Sequence, residues 1–308
     1  MAVIVCKNVS KRYAKDHLAL DKVNLSLDVK GIFSLIGRNG AGKTTLVRIL
    51  STTLLPSSGS ATIDGVNVVN NAKKIRERIA VVPQEARPVG WMTPKEMITS
   101  YLMWRGFGYK EAIKKAEESL SLLGISKFSN NLNQRLSGGT KRKVLVATVI
   151  ASDADIIFLD EPTTGLDPIS RAELWNLLLK LKKTRFIFLT THYLEEAEVL
   201  ADKIGILENG RLLSVGSLHE LRNKMGYPYS IKILGSAKKI KVRRGRVVKG
   251  RDGHTQIFTT EREARRIGSA LIKKRVRFSI NPVSLEDIFY YFAKKEVNEG
   301  GERDEEEY

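Results

Sequence analysis

The chain has 308 residues, 42% hydrophobic and 28% charged, with 52 Lys and Arg against 34 Asp and Glu and one cysteine. That length suits two domains, and the composition excludes wholesale disorder; no apolar run nears the roughly 18–20 residues of a membrane-spanning helix. Cys6 alone excludes an intramolecular disulfide and a cysteine-only metal site, and the N-terminus lacks a basic segment followed by an apolar one, so a cytoplasmic chain is expected.

Residues 1–220 alternate apolar strand-like runs with helical patterns, which predicts an α/β domain with a mostly parallel sheet. Ile32–Ile36 reads as an apolar strand, and Gly37-Arg38-Asn39-Gly40-Ala41-Gly42-Lys43-Thr44-Thr45 follows it directly, before a helix over Leu46–Leu50. This is G-x-x-x-x-G-K-[ST] between a strand and a helix, the context of a phosphate-binding loop. Glycines let backbone N–H groups curl around phosphates, Lys43 reaches the β- and γ-phosphate oxygens, and the Thr44 hydroxyl ligates Mg²⁺. Ser60–Val69 reads as a hairpin around Asp64-Gly65, where Asp64 serves the turn. Residues 110–123 predict an amphipathic helix ended by Gly124.

Further on, Asp155–Asp160 is a second buried strand that ends in two acids, Asp160 and Glu161. Beside a Mg²⁺-triphosphate, Asp160 would hold the metal through water and Glu161 would polarise the attacking water. Asp167 before Pro168 suits a helix N-cap. Around Asn223–Pro228 the rhythm breaks. Strand-like runs over Tyr229–Leu234, Ile240–Val248, His254–Thr259 and Val276–Ile280, with helices over Glu261–Ile272 and Ser284–Phe292, predict a small α+β domain over 221–297. Residues 298–308 read as an acidic disordered tail.

These motifs resemble the ATP-binding cassette (ABC) ATPases, and four more match in order. Gln84 is similar to the loop glutamine, Leu136-Ser137-Gly138-Gly139-Thr140 to the signature, Thr164-Gly165-Leu166-Asp167 to the D-loop, and His192 to the switch histidine. The signature usually ends in Gln, where this chain has Thr140. Tyr13 stands where the family has the aromatic that stacks on adenine; packing in a core is its alternative reading, as burial is for His192.

The resemblance implies a P-loop NTPase cassette with an antiparallel β subdomain and a helical subdomain. It implies ATP held by Tyr13, loop 37–45, Gln84 and Asp167, with Ser137, Gly138 and Gly139 of a second cassette closing over it. Thr44, Gln84 and Asp160 would hold Mg²⁺, and Glu161, Lys43 and His192 would act on the γ-phosphate. Dimerisation, with itself or with a paralogue, follows from that closure.

Thr140-Lys141-Arg142-Lys143 and the phrase Asn281–Phe289 narrow the resemblance to ATPase subunits of daunorubicin-resistance-type exporters. A separate membrane permease is then the implied partner, with the chain peripheral on the inner face of the membrane and nucleic acid not an expected partner. Two other readings stay open: a soluble ABC ATPase acting on ribosomes or RNA, and an importer subunit with a regulatory C-terminal domain. The first draws on residues 231–280, which hold 16 Lys and Arg against three acids. Such a block suits an anionic partner or a solvated face.

Overall fold

The computed structural model describes residues 2–14, 17–234, 242–249 and 255–300. Two compact units divide the chain after Leu212, ahead of the boundary expected at 220. The first unit contains β1 (Ala2–Ala14), β2 (His17–Val29), β3 (Ile32–Ile36), α1 (Lys43–Leu50), β4 (Ser58–Ile63), β5 (Val66–Asn67), α2 (Ala72–Arg78) and β6 (Ile79–Val82). There follow α3 (Pro94–Trp104), α4 (Tyr109–Leu122), α5 (Gly138–Ala151), β7 (Ile156–Asp160), α6 (Pro168–Leu181), β8 (Phe186–Thr191), α7 (Leu194–Leu200) and β9 (Lys203–Glu208). The chain leaves this unit within β10 (Arg211–Gly216).

The six-stranded sheet has the order β10-β9-β3-β8-β7-β6 and pairs in parallel from β9 through to β6. Its inner strands β3, β7 and β8 are buried at every residue, as continuous apolar runs covered on both faces require. Register then positions the chemistry. Ile36 lies beside Thr191, and Asp160 beside Thr190, so the loops after β3, β7 and β8 leave the sheet side by side. Val82 lies beside Leu159, which brings the loop after β6 to the same edge.

A separate antiparallel sheet has the order β2-β1-β4-β5. Its β4–β5 turn has φ of 49° at Asp64 and 77° at Gly65, two consecutive positive values as a tight hairpin requires. The Asp64 carboxylate also accepts from Val3 N at 2.7 Å and pairs with Arg78 at 2.8 Å, so it is occupied structurally. In the helical part, α4 turns Ala112, Ala116 and Leu120 inward at four-residue spacing. They join Ile98 and Leu102 of α3 and Val144 of α5 in one core, and Gly124, at φ 66°, ends the segment.

The second unit holds α8 (Leu218–Met225), β11 (Tyr229–Leu234), β12 (Gly245–Lys249), β13 (Thr255–Thr259), α9 (Glu261–Lys273), β14 (Arg277–Pro282) and α10 (Leu285–Gly300). Its antiparallel sheet runs β12-β13-β11-β14. Ile231, Ile233 and Ile257 pack against Ala264, Ile267 and Leu271 of α9. The helix α10 starts on a reciprocal cap: Ser284 N donates to Asp287 Oδ2 at 3.0 Å, and Asp287 N to Ser284 Oγ at 3.2 Å.

Two expectations need correction. Among the described residues, 242–244 of the expected run Ile240–Val248 stand outside β12, and Arg243 N donates to Glu263 Oε1 rather than to a neighbouring strand. Residues 298–300, expected in the tail, continue α10. Residues 301–308, with Ile240, Lys241, His254 and the basic residues Lys238 and Lys239, lie outside the described residues.

Candidate nucleotide site

The loop after β3 is shaped by two glycines. A Cβ at Gly37 would stand 2.3 Å from the Leu207 carbonyl, and Gly42 has φ 103° with the Ala19 carbonyl 2.5 Å from where its Cβ would be. The loop therefore lies against backbone that a side chain would displace, and it turns directly into α1. Arg38 is exposed and reaches Glu208 at 3.6 Å, while Asn39 and Gly40 are exposed above the loop.

Lys43 is 5% exposed. Its Nζ donates back to the carbonyls of Gly37 at 2.8 Å and Arg38 at 3.0 Å, and lies 3.5 Å from Glu161 Oε1. Burial pulls the ammonium's pKa below its ordinary value, against the upward pull of Glu161, Asp160 and Glu208. The ammonium thus sits where an anion's oxygens would be favourable ligands.

Glu161 is the hub. Gln84 Nε2 donates to its Oε2 at 3.1 Å and Thr164 Oγ1 at 3.3 Å, while His192 Nδ1 lies 3.1 Å from the same oxygen without hydrogen-bond alignment. Its backbone has φ 50°, unusual for a side chain of this size. Its N–H is shared between the Thr190 carbonyl and Thr190 Oγ1, both at 3.1 Å. Thr190 Oγ1 also donates to the Asp160 carboxylate, which is 1% exposed. Thr44 Oγ1 donates to Gln84 Oε1 at 3.3 Å.

Thr44, Gln84 and Asp160 supply oxygen donors only, the set that a hard cation such as Mg²⁺ takes. The two donors in contact, Thr44 and Gln84, and the phosphate loop beside them fit Mg²⁺ accompanying a polyphosphate.

The structure thus brings together Lys43, Thr44, Gln84, Asp160, Glu161 and His192 from the ends of four parallel strands. Tyr13 is 49% exposed, and its hydroxyl shares a 3.2 Å hydrogen bond with Thr45 Oγ1, which places its ring beside the loop, where it stacks with His17 at 6.1 Å and lies under Lys11 Nζ at 5.6 Å. Ser137, Gly138 and Gly139 open α5 at the surface. Ser137 Oγ accepts from Thr140 N at 3.2 Å, and among the described residues no hydrogen bond or ion pair links these three to the Glu161 cluster. Asp167 caps α6, accepting from Ser170 N at 3.0 Å, which holds its carboxyl below the ordinary value.

Sequence reasoning gives Thr164 no role beyond its place in the D-loop phrase and passes over Thr190, which lies thirty positions from Asp160 in sequence. It also passes over Arg142 as a buried group, since the run Lys141-Arg142-Lys143 gives no sign of which cations turn inward. A cavity of about 400 Å³ lies at the opposite ends of the strands, lined by Lys30, Arg78, Lys182 and Arg185 among others. It touches none of these site residues.

Residues 20–164 match the family of ABC transporters. The retinal-specific phospholipid-transporting ATPase ABCA4 of Mus musculus is 36% identical over 227 residues, 74% of this chain and 10% of its own length. The daunorubicin/doxorubicin resistance ATP-binding protein DrrA of Streptomyces peucetius is 34% identical over 209 residues, 68% of this chain and 63% of that protein. The chain thus spans between 10% and 27% of the length of the A-family relatives it matches. Among solved structures, a dimeric post-hydrolysis state of an ATP-binding cassette bound to ADP and Pi superposes with a TM-score of 0.65 at 27% identity. It covers 70% of this chain and 98% of that one.

Proposed function

We propose that this chain, which belongs to the ABC ATPases, hydrolyses ATP to drive export through a separate membrane permease. The observation that carries the reading is the convergence of Lys43, Gln84, Thr164 and His192 on one carboxylate, Glu161, beside a phosphate loop. The export direction rests on DrrA, a drug-resistance ATP-binding protein.

In this reading Tyr13 stacks on adenine and the loop from Gly37 to Thr45 wraps the phosphates. Lys43 exchanges its two loop carbonyls for β- and γ-phosphate oxygens. Thr44, Gln84 and Asp160 would hold Mg²⁺, which would supply positive charge to neutralise the phosphates. Glu161 takes the proton of the attacking water, and Lys43 and His192 stabilise charge developing on the γ-phosphate. Ser137, Gly138 and Gly139 of a second cassette close over the nucleotide with exposed N–H groups at a helix start. Their position at the surface suits that role. The chain would then work as a dimer, peripheral on the cytoplasmic face of the membrane; among the described residues no helix is long and apolar enough to cross it.

Glu161→Gln tests this. The substitution keeps the shape, and its carbonyl can still accept from Gln84, so ATP binding should survive while turnover falls below about a hundredth of wild type. The expected product is an ATP-bound dimer that sedimentation detects. Turnover within a few-fold of wild type would remove Glu161 from the reaction.

A further inference from the structure

The signature helix α5 carries a buried cation whose partners are all main-chain carbonyls. Arg142 is 8% exposed. Its Nε donates to Pro162 O at 3.1 Å, Nη1 to Pro83 O at 3.1 Å and Gln84 O at 3.3 Å, and Nη2 to Asp160 O at 2.6 Å and Glu161 O at 2.9 Å. A guanidinium has five N–H groups, and five carbonyls take them. Those carbonyls come from only two segments, the turn that carries Glu161 and the loop that carries Gln84.

The turn is where help is needed. Glu161 has φ 50°, and a side chain in that region costs about 1–3 kcal/mol unless its surroundings enforce it. Three successive carbonyls, from Asp160 to Pro162, face the same guanidinium, and only a particular course of the backbone allows that. Removing the cation would let those dipoles turn apart and would move the carboxylate. Thr190 holds the same turn from the other side through the Glu161 N–H. Burial lowers the Arg142 pKa, opposed by the charges of Asp160, Glu161 and Glu196.

We infer that Arg142 is a positioning residue for hydrolysis, which holds Glu161 and Gln84 in register by binding the five backbone carbonyls around them. Because it is rooted four residues after Gly138, it also joins that pair to the helix whose start is proposed to meet a second cassette's nucleotide. The inference rests on the hydrolytic reading above and names a residue that reading does not use. Lysine is no substitute here: its three N–H groups radiate from one point, whereas the guanidinium fork reaches two segments at once.

The experiment measures kcat, KM and ATP affinity of the full-length wild type, Arg142→Lys and Arg142→Gln. A displacement of about 1 Å at a reacting group can cost on the order of 100-fold. The expected result is kcat about 10-fold lower for Lys and about 100-fold lower for Gln, with ATP affinity unchanged in both and the Lys variant partly rescuing the Gln variant. A merely structural role would lower the melting temperature and leave kcat of the folded fraction intact; that result overturns the inference. Loss of folding in both variants overturns it too, since Arg142 would then hold the fold rather than the carboxylate. Absence of turnover in the wild type itself would refute the parent reading, a failure distinct from normal turnover in the Arg142 variants.

Discussion

Lys43 is surrounded by groups that it must leave. In this state it satisfies two loop carbonyls and faces Glu161, and phosphate binding would replace those contacts by charge-assisted ones. Lys43→Ala should therefore weaken ATP binding by about 1.5–3 kcal/mol, roughly 10- to 150-fold in Kd by titration calorimetry. Unchanged affinity would exclude the loop as the nucleotide site. Lys43, Thr44, Asp160 and Glu161 were legible because each sits in a short run whose chemistry is complete within a few residues. Thr190 was not, since its two roles, on the Asp160 carboxylate and the Glu161 N–H, exist only across a strand pairing thirty positions apart in sequence.

At the scale of the element, α9 shows how a helix can secure a neighbouring loop. Glu263 accepts from Arg266 Nη2 at 2.7 Å and Nε at 2.9 Å, and from Arg243 N at 2.8 Å. With Arg266 as the main cause, its pKa falls from 4.5 to about 2. A folded value below the unfolded one contributes stability that is fully present above pH 4.5 and is lost as pH falls towards about 2. Glu263→Gln should therefore flatten that part of the acid limb in thermal denaturation of the second unit; an identical limb in both proteins would show that Glu263 does not supply it. The contact also bears on the described residues 242–244: alternation in Ile240–Val248 read as one strand, but at Arg243 a carboxylate outside the run takes the amide. The extension of α10 to Gly300 has a different origin. Of Asn298, Glu299 and Gly300 only Glu is a good helix former, so the extension draws on propagation from a capped helix, which costs little compared with nucleation.

The whole molecule assembles its site through sheet register, which no local reading of one sequence supplies. The order of motifs along the chain identified the cassette; the pairing of Ile36 with Thr191 and of Asp160 with Thr190 is what makes them one site. Charge is organised on the same scale. In the second unit Lys273, Lys274, Arg275 and Arg277 are exposed from the end of α9 to the start of β14, and Ile272 beside them is 68% exposed. An apolar side chain among cations suits an anionic membrane surface, where each Lys or Arg contributes about 1 kcal/mol. Replacing Lys273, Lys274 and Arg277 by Gln should leave ATP turnover unchanged, because none belongs to the nucleotide site. Arg275 is kept, since its φ of 54° makes substitution there a test of backbone strain as well. Binding to vesicles containing anionic lipid should weaken on the order of 100-fold at low salt, and the difference should shrink as salt screens the charges. Equal vesicle binding by the two proteins would end the membrane reading of this cluster, and a loss of RNA binding in its place would favour the nucleic-acid alternative.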